Sequence, residues 1–180
     1  MTTASADNIL SQWQADEAAI RARQTLDTGV GSRAMLAGKT GLEIMQAMLN
    51  GDIPYAAIAK TLDFTILEVR QGVAVFQGTP LPRHLNPLGT IHGGWVATML
   101  DSALGCSVHT MMPPGRGYTT AELGVNLVKA IGRDVQRVRA EGKVIHCGRQ
   151  LATAEARLFG PDGTLYAHAT TTCLVFELRS

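Results

Sequence analysis

The stretch from Trp95 to Met112 constrains the fold of this chain more than any other. It is apolar or small almost throughout, and its one formal charge is Asp101. A helix that is apolar around most of its circumference is buried on most sides. On either side of it the period of apolar residues is two. "LDFTILEVRQGVAVFQ" reads as two strands meeting near Gly72, and "TTAELGVNLVKA" alternates Ala121, Leu123, Val125 and Leu127 against Thr120, Glu122, Gly124 and Asn126. "QRVRAEGKVI", "LATAEARLF" and "LYAHATTTCLVF" continue the alternation, and Pro161-Asp162-Gly163 joins the last two as a hairpin. The expected fold is α+β: an antiparallel sheet of five or six strands wrapped around one long central helix, from about His92 to Met112, with the later strands forming a meander.

The length of 180 residues suits one core with a small appendage. Residues 7–26 read as a polar, alanine-rich helix followed by the loose "DTGVGSRAMLAGKTG". Residues 1–40 are therefore expected to be a partly helical N-terminal extension, and residues 41–180 the main domain. Thr40 is placed to cap a short helix, "GLEIMQAMLNG", with Gly51 as its stop. A net charge of +1, with no basic block interleaved with aromatics, argues against a nucleic-acid partner. Asp101, Ser102, Ser107, His109 and the closing Pro113-Pro114-Gly115 argue against a membrane span over the apolar run. Cys106, Cys147 and Cys173 are widely spaced and sit in apolar runs, the pattern of free thiols in a reducing compartment. With no basic-then-apolar leader pattern, the expected location is the cytoplasm.

Chemistry concentrates in "NPLGTIHGGWVATMLDSALG". Gly93 and Gly94 stand at a helix start, where backbone N–H groups lack internal partners and the dipole is positive. They either serve a tight turn or let a ligand oxygen approach the donors. His92 is placed to act as a base or to cap the turn. Asn86 either opens the turn or orients a carbonyl or water. A carboxylate in an apolar helix requires a partner or a task, which singles out Asp101. Eight residues of helix hold Asp101 roughly 12 Å from Gly93 along the axis, too far for both to act on one reacting atom. Two antiparallel copies of the helix would bring Gly93 of each chain near Asp101 of the other, so the spacing predicts a homodimer with shared sites. His84, His109, His146 and His168 show no metal-ligand spacing, and no metal is expected.

Asn86, Gly89, His92-Gly93-Gly94, Asp101, "TAELGVNLVKA" and "VIHCGRQLATAEARLFGPDGTLYAHATTT" together resemble the hotdog-fold acyl-CoA thioesterases of the phenylacetate-pathway (PaaI) type, over about residues 60–177. The resemblance implies a hotdog fold and hydrolysis of an aryl- or medium-chain acyl-CoA to the free acid and CoA, with no cofactor. It implies that Gly93 polarises the carbonyl, that Asn86 positions it, and that Asp101 of the opposite subunit is general base or nucleophile. Thr120 matches the assisting hydroxyl, with Thr119 one register away. Where the family often has Arg-Pro after that strand, this chain has Lys129-Ala130. Arg149, with Lys143 and Arg116 behind it, is the candidate for the CoA phosphates. Pairing of dimers into tetramers stays open. The alternatives are a non-catalytic acyl-CoA-binding module or sensor, and an enoyl-CoA hydratase.

Overall fold

Period-two patterning produces six strands: β1 (Phe64–Arg70), β2 (Val73–Gly78), β3 (Arg116–Leu127), β4 (Val138–Cys147), β5 (Leu151–Phe159) and β6 (Leu165–Glu177). The computed structural model describes residues 5–178. All strand pairs are antiparallel, in the order β1-β2-β4-β5-β6-β3. The Pro161-Asp162-Gly163 hairpin is present: Gly163 takes φ +79°, and Asp162 Oδ1 accepts from the Thr164 amide at 3.0 Å. β3 departs from the expected meander. It leaves its sequence neighbour β4 and pairs along β6 at the sheet edge. The two longest strands thereby satisfy each other's backbone, and residues 128–137 are long enough when extended to cross β6 and β5 back to β4.

The apolar run is α5 (Gly93–His109), and the sheet wraps around it. Met99, Leu100, Ala103, Leu104 and Val108 are fully buried. The helix stops short of Met112 because Thr110 Oγ1 turns back to donate to the Ser107 carbonyl and accepts from the Gly72 amide, ahead of Pro113. Gly142 on β4 marks the closest approach: a Cβ there would lie 2.2 Å from the Ala103 carbonyl oxygen. Glycine lets backbone meet backbone at that point.

Four further helices precede the sheet: α1 (Ala6–Arg23), α2 (Arg33–Leu36), α3 (Gly41–Asn50) and α4 (Ala57–Leu62). α3 carries the anticipated cap as a full capping box, with Thr40 and Glu43 reciprocally bonded, and ends at Gly51 with φ +86°. Its Gly41 sits against the end of α5, where a Cβ would meet the His109 carbonyl oxygen. α1 lies on the outer face of the sheet. Trp13 meets Phe159 edge-on at 5.9 Å, and the Arg139 guanidinium stacks 4.4 Å from the Trp13 ring centre. No described helix is long and apolar enough to cross a membrane.

α1 is fastened by charge as much as by apolar contact. Glu17, only 5% exposed, accepts from Arg21 and Arg137 at 2.7 Å each and from Gln77 at 2.8 Å. Gln77, fully buried, also donates to the Trp13 carbonyl and accepts from Arg139, which in turn donates to Asp16. Burial opposes ionisation of Glu17, but bonds from Gln77, Arg21 and Arg137 outweigh it and hold the carboxyl below the usual glutamate range. A carboxyl depressed on folding stabilises above its unfolded pKa, and that stabilisation is lost as pH falls through the folded value. Glu17→Gln is therefore expected to lower Tm at neutral pH. The gap from wild type should close as pH falls below roughly 4, as read by Tm across a pH series.

Candidate active site

The turn before α5 is organised by Asn86. Its Oδ1 accepts from the Leu88 and Thr90 amides at 2.9 and 3.2 Å, and its Nδ2 donates to Thr90 Oγ1 at 2.9 Å. Gly89 takes φ +82°, which only glycine adopts without strain. The chain then enters α5 through His92, whose Nδ1 accepts from the Gly94 amide at 2.9 Å while its carbonyl accepts from Trp95. His92 is thus the N-cap. The Gly93 amide, at the first helical position, has no acceptor among the described residues. Asn86 and Gly93 line one cavity of about 230 Å³ with Val96, Leu127 and Lys129. A Cβ on Gly93 would intrude to 2.8 Å from Leu127 Cδ1.

Asp101 is two turns further along α5 and does not line that cavity. Half-buried, it accepts at Oδ1 from Thr120 Oγ1 of the same chain at 3.0 Å. The contact depends on a feature that simple alternation misses. β3 and β6 slip register between Thr120 and Glu122, so Ala121 is a bulge. Before it, Tyr118 and Thr120 stand opposite Val175 and Cys173; after it, Leu123, Val125 and Leu127 stand opposite Thr171, Ala169 and Ala167. The bulge puts Thr120 on the same inward face as Leu123, where strict alternation would have separated them. Thr119 pairs with Leu174 and is exposed, so Thr120 is the hydroxyl that reaches the acid.

The surroundings of Asp101 are kept uncharged. Burial, and behind it the Asp101 carboxylate, push the Cys106 thiol up to about 12. Burial also holds the Tyr118 phenol well above its ordinary value, and at the far end of α5 it lowers the His109 imidazole below its own. Tyr118 packs directly on the α5 backbone at Gly105, where a Cβ would stand 2.8 Å from its hydroxyl. The sequence gives no sign of this contact, since glycine inside an apolar run marks no particular partner.

The candidate phosphate cations do not form one cluster. Lys143 points to the outer face of the sheet, because its neighbour Gly142 must face α5. It lies opposite Glu155, away from Asp101 and Gly93. Arg116 opens β3 and donates to the Arg149 carbonyl oxygen, which brings these two together at the other end of β3 from Leu127. Lys129, where the family often has Arg, lines the cavity with Asn86 and Gly93, and Arg133 Nε donates to the Gly89 carbonyl oxygen of the same turn at 3.4 Å.

Comparison with known proteins finds the same fold among thioesterases. A model of the thioesterase superfamily matches residues 88–167, from the Asn86 turn into β6. A putative phenylacetic acid degradation-related thioesterase of Ralstonia eutropha JMP134 is 27% identical with a TM-score of 0.66, over 72% of this chain and 97% of that one. A hypothetical thioesterase of Streptococcus pneumoniae TIGR4, solved with coenzyme A, is 26% identical with a TM-score of 0.61, over 68% and 94%. A mutant of the phenylacetic acid degradation protein PaaI of Thermus thermophilus is 25% identical with a TM-score of 0.59, over 65% and 96%. No curated protein sequence matches. The fold is a hotdog fold, and over residues 88–167 the chain is similar to the thioesterase superfamily. Within that class the resemblance is to the PaaI-like thioesterases of phenylacetic acid degradation.

The capping geometry separates two roles for His92. His92→Ala is expected to cost about 1 kcal/mol through loss of the cap, whereas His92→Asn, which can also accept from the Gly94 amide, should recover most of it. Urea unfolding midpoints of the two variants read the difference.

Proposed function

We propose that the chain is an acyl-CoA thioesterase acting as a homodimer with two shared active sites, which hydrolyses an acyl-CoA to free acid and CoA. The observation that carries the reading is the separation of the two half-sites. The Gly93 amide and Asn86 share one cavity, while Asp101 is turned onto Thr120 away from it. Both halves become usable on one thioester when a second α5 runs antiparallel to the first. The α5 surface available for such a neighbour carries small or polar residues, among them Gly94, Thr98, Asp101 and Ser102, none of them fully buried.

In this reading the thioester carbonyl oxygen lies against the Gly93 N–H, where the helix dipole favours the charge that develops on attack. Asp101 of the other subunit either takes a proton from the attacking water or attacks the carbonyl carbon itself, giving a mixed anhydride that water then opens. In both routes the C–S bond breaks and its electron pair leaves with the CoA sulfur. Thr120, donating to Oδ1, fixes the carboxylate and directs the other oxygen toward the substrate. Asn86, with Oδ1 committed to its turn, retains one amide hydrogen for the substrate or water. Lys129 at the cavity, and Arg116 with Arg149, are the cations offered to the CoA phosphates.

Asp101→Asn is expected to leave the far-ultraviolet spectrum unchanged and to reduce thiol release from acyl-CoA by about 10³-fold or more, while Thr120→Val reduces it by about 10–100-fold. Retained activity in Asp101→Asn would remove the acid from the mechanism. Acyl-CoA binding by wild type without thiol release would instead indicate a binding module. Sharing is tested by mixing inactive Asn86→Ala and Asp101→Asn subunits. Hybrid dimers, verified by mass, should recover one working site of the two; a verified hybrid with no recovery overturns the two-chain site.

A further inference from the structure

Two cavities lie where α3 crosses α5, walled in part by sequence neighbours of Asp101 and Thr120. The smaller, about 80 Å³, is lined by Met45, Met48, Tyr55, Phe64, Ser102 and Cys106. Ser102 directly follows Asp101, and Cys106 lies little more than a turn beyond it. The larger, about 370 Å³, is lined by Ile44, Met48, His109, Tyr118 and Phe176, with Lys39 and Arg116 also on its wall. Tyr118 stands two positions before Thr120 on the same strand face. The two spaces share only Met48 and Ala56, and of these the methionine has the bulk to divide them.

The chemistry of the walls restricts what can enter. The smaller cavity has no acidic or basic side chain. The Ser102 hydroxyl is already committed to the Thr98 carbonyl, and the Cys106 thiol stays protonated. A group lodged there is therefore uncharged and apolar. Its volume is well below the roughly 150 Å³ of an apolar cavity that admits benzene, so it suits a short unbranched chain better than a ring. Methionine is flexible, yet as a wall of both cavities Met48 limits the depth of the smaller one.

Resting on the acyl-CoA reading above, we propose that the cavity between α3 and α5 receives the acyl chain and that Met48 is the residue that sets its length. Wild type then prefers a short unbranched aliphatic acyl group. Trimming Met48 joins the two cavities and lets longer chains and aryl rings pass toward His109 and Tyr118. α3 thus contributes the specificity wall of a site whose reacting groups all lie on other elements.

The test compares wild type, Met48→Ala and Met48→Phe in thiol release from straight-chain C4 to C12 acyl-CoAs and phenylacetyl-CoA. The same thioesters are titrated for Kd onto Asp101→Asn proteins carrying each Met48 side chain, and circular dichroism and Tm verify folding. Met48→Ala should raise the C10-to-C6 ratio of kcat/KM roughly tenfold, and Met48→Phe should lower it, since each methylene that gains or loses a buried site changes binding several-fold. The Kd profiles should shift in the same directions. Length profiles that stay unchanged in both measurements, or that move the same way for Ala and Phe, overturn the assignment. A shift in Kd with no thiol release from any thioester would keep the pocket and discard the hydrolase reading. If one Met48 variant fails to fold, the other still decides through its own predicted direction.

Discussion

The central helix touches the sheet with its backbone, and the rest of the molecule is arranged around that contact. At Gly142 the strand and the Ala103 carbonyl leave no room for a side chain, and Gly78 does the same beneath Trp95 and Met99. Gly105 accepts the Tyr118 ring, and Gly41 accepts the end of α5. These approaches seat the helix closely on the sheet, because interiors packed this tightly resist small displacements. Fixing α5 fixes the Gly93 amide at one end and Asp101 in the middle, so the spacing of the candidate site rests on glycine contacts that lie outside it.

Much of this was legible in the residues. The buried helix, the strands with period two, the Pro161-Asp162-Gly163 hairpin and the Thr40 cap all follow from local rules and appear in the structure. What local rules could not supply was pairing between distant segments. β3 lies beside β6 rather than β4 because strand length and crossover reach decide the partner, and neither is visible in a single strand. The bulge at Ala121 is equally hidden. It breaks a pattern that reads as regular, and only the partner strand shows the slip. Lys143 illustrates a third limit: a charge in a strand goes to whichever face its neighbour leaves, and Gly142 gave no sequence cue that it faced the helix. The acid, the glycine pair and the asparagine stand out in the sequence because each is costly or conformationally special where it stands.

The bulge links fold to site more tightly than any other irregularity. By adding one residue to β3 it keeps Leu123, Val125 and Leu127 on the core face while also bringing Thr120 there. A regular strand would have had to give up one or the other. The hydroxyl then meets Asp101 at 3.0 Å inside surroundings where Cys106 and Tyr118 are both held neutral by burial. A single anion amid neutral neighbours, held by one donor, keeps its remaining lone pairs available.

The clasp of α1 on Gln77 also divides the outer surface of the sheet. β2 is buried on both faces because α1 lies over it, so that half of the surface is occupied by the chain itself. The outward side chains left uncovered include Leu151, Leu174 and Phe176, which are 46%, 50% and 42% exposed. A segment far in sequence from Asp101 and Gly93 therefore covers one half of that outer surface and leaves the other half open. Losing it would leave Gln77 and Arg139 without the partners that α1 supplies and would open the Trp13 footprint on the sheet to water.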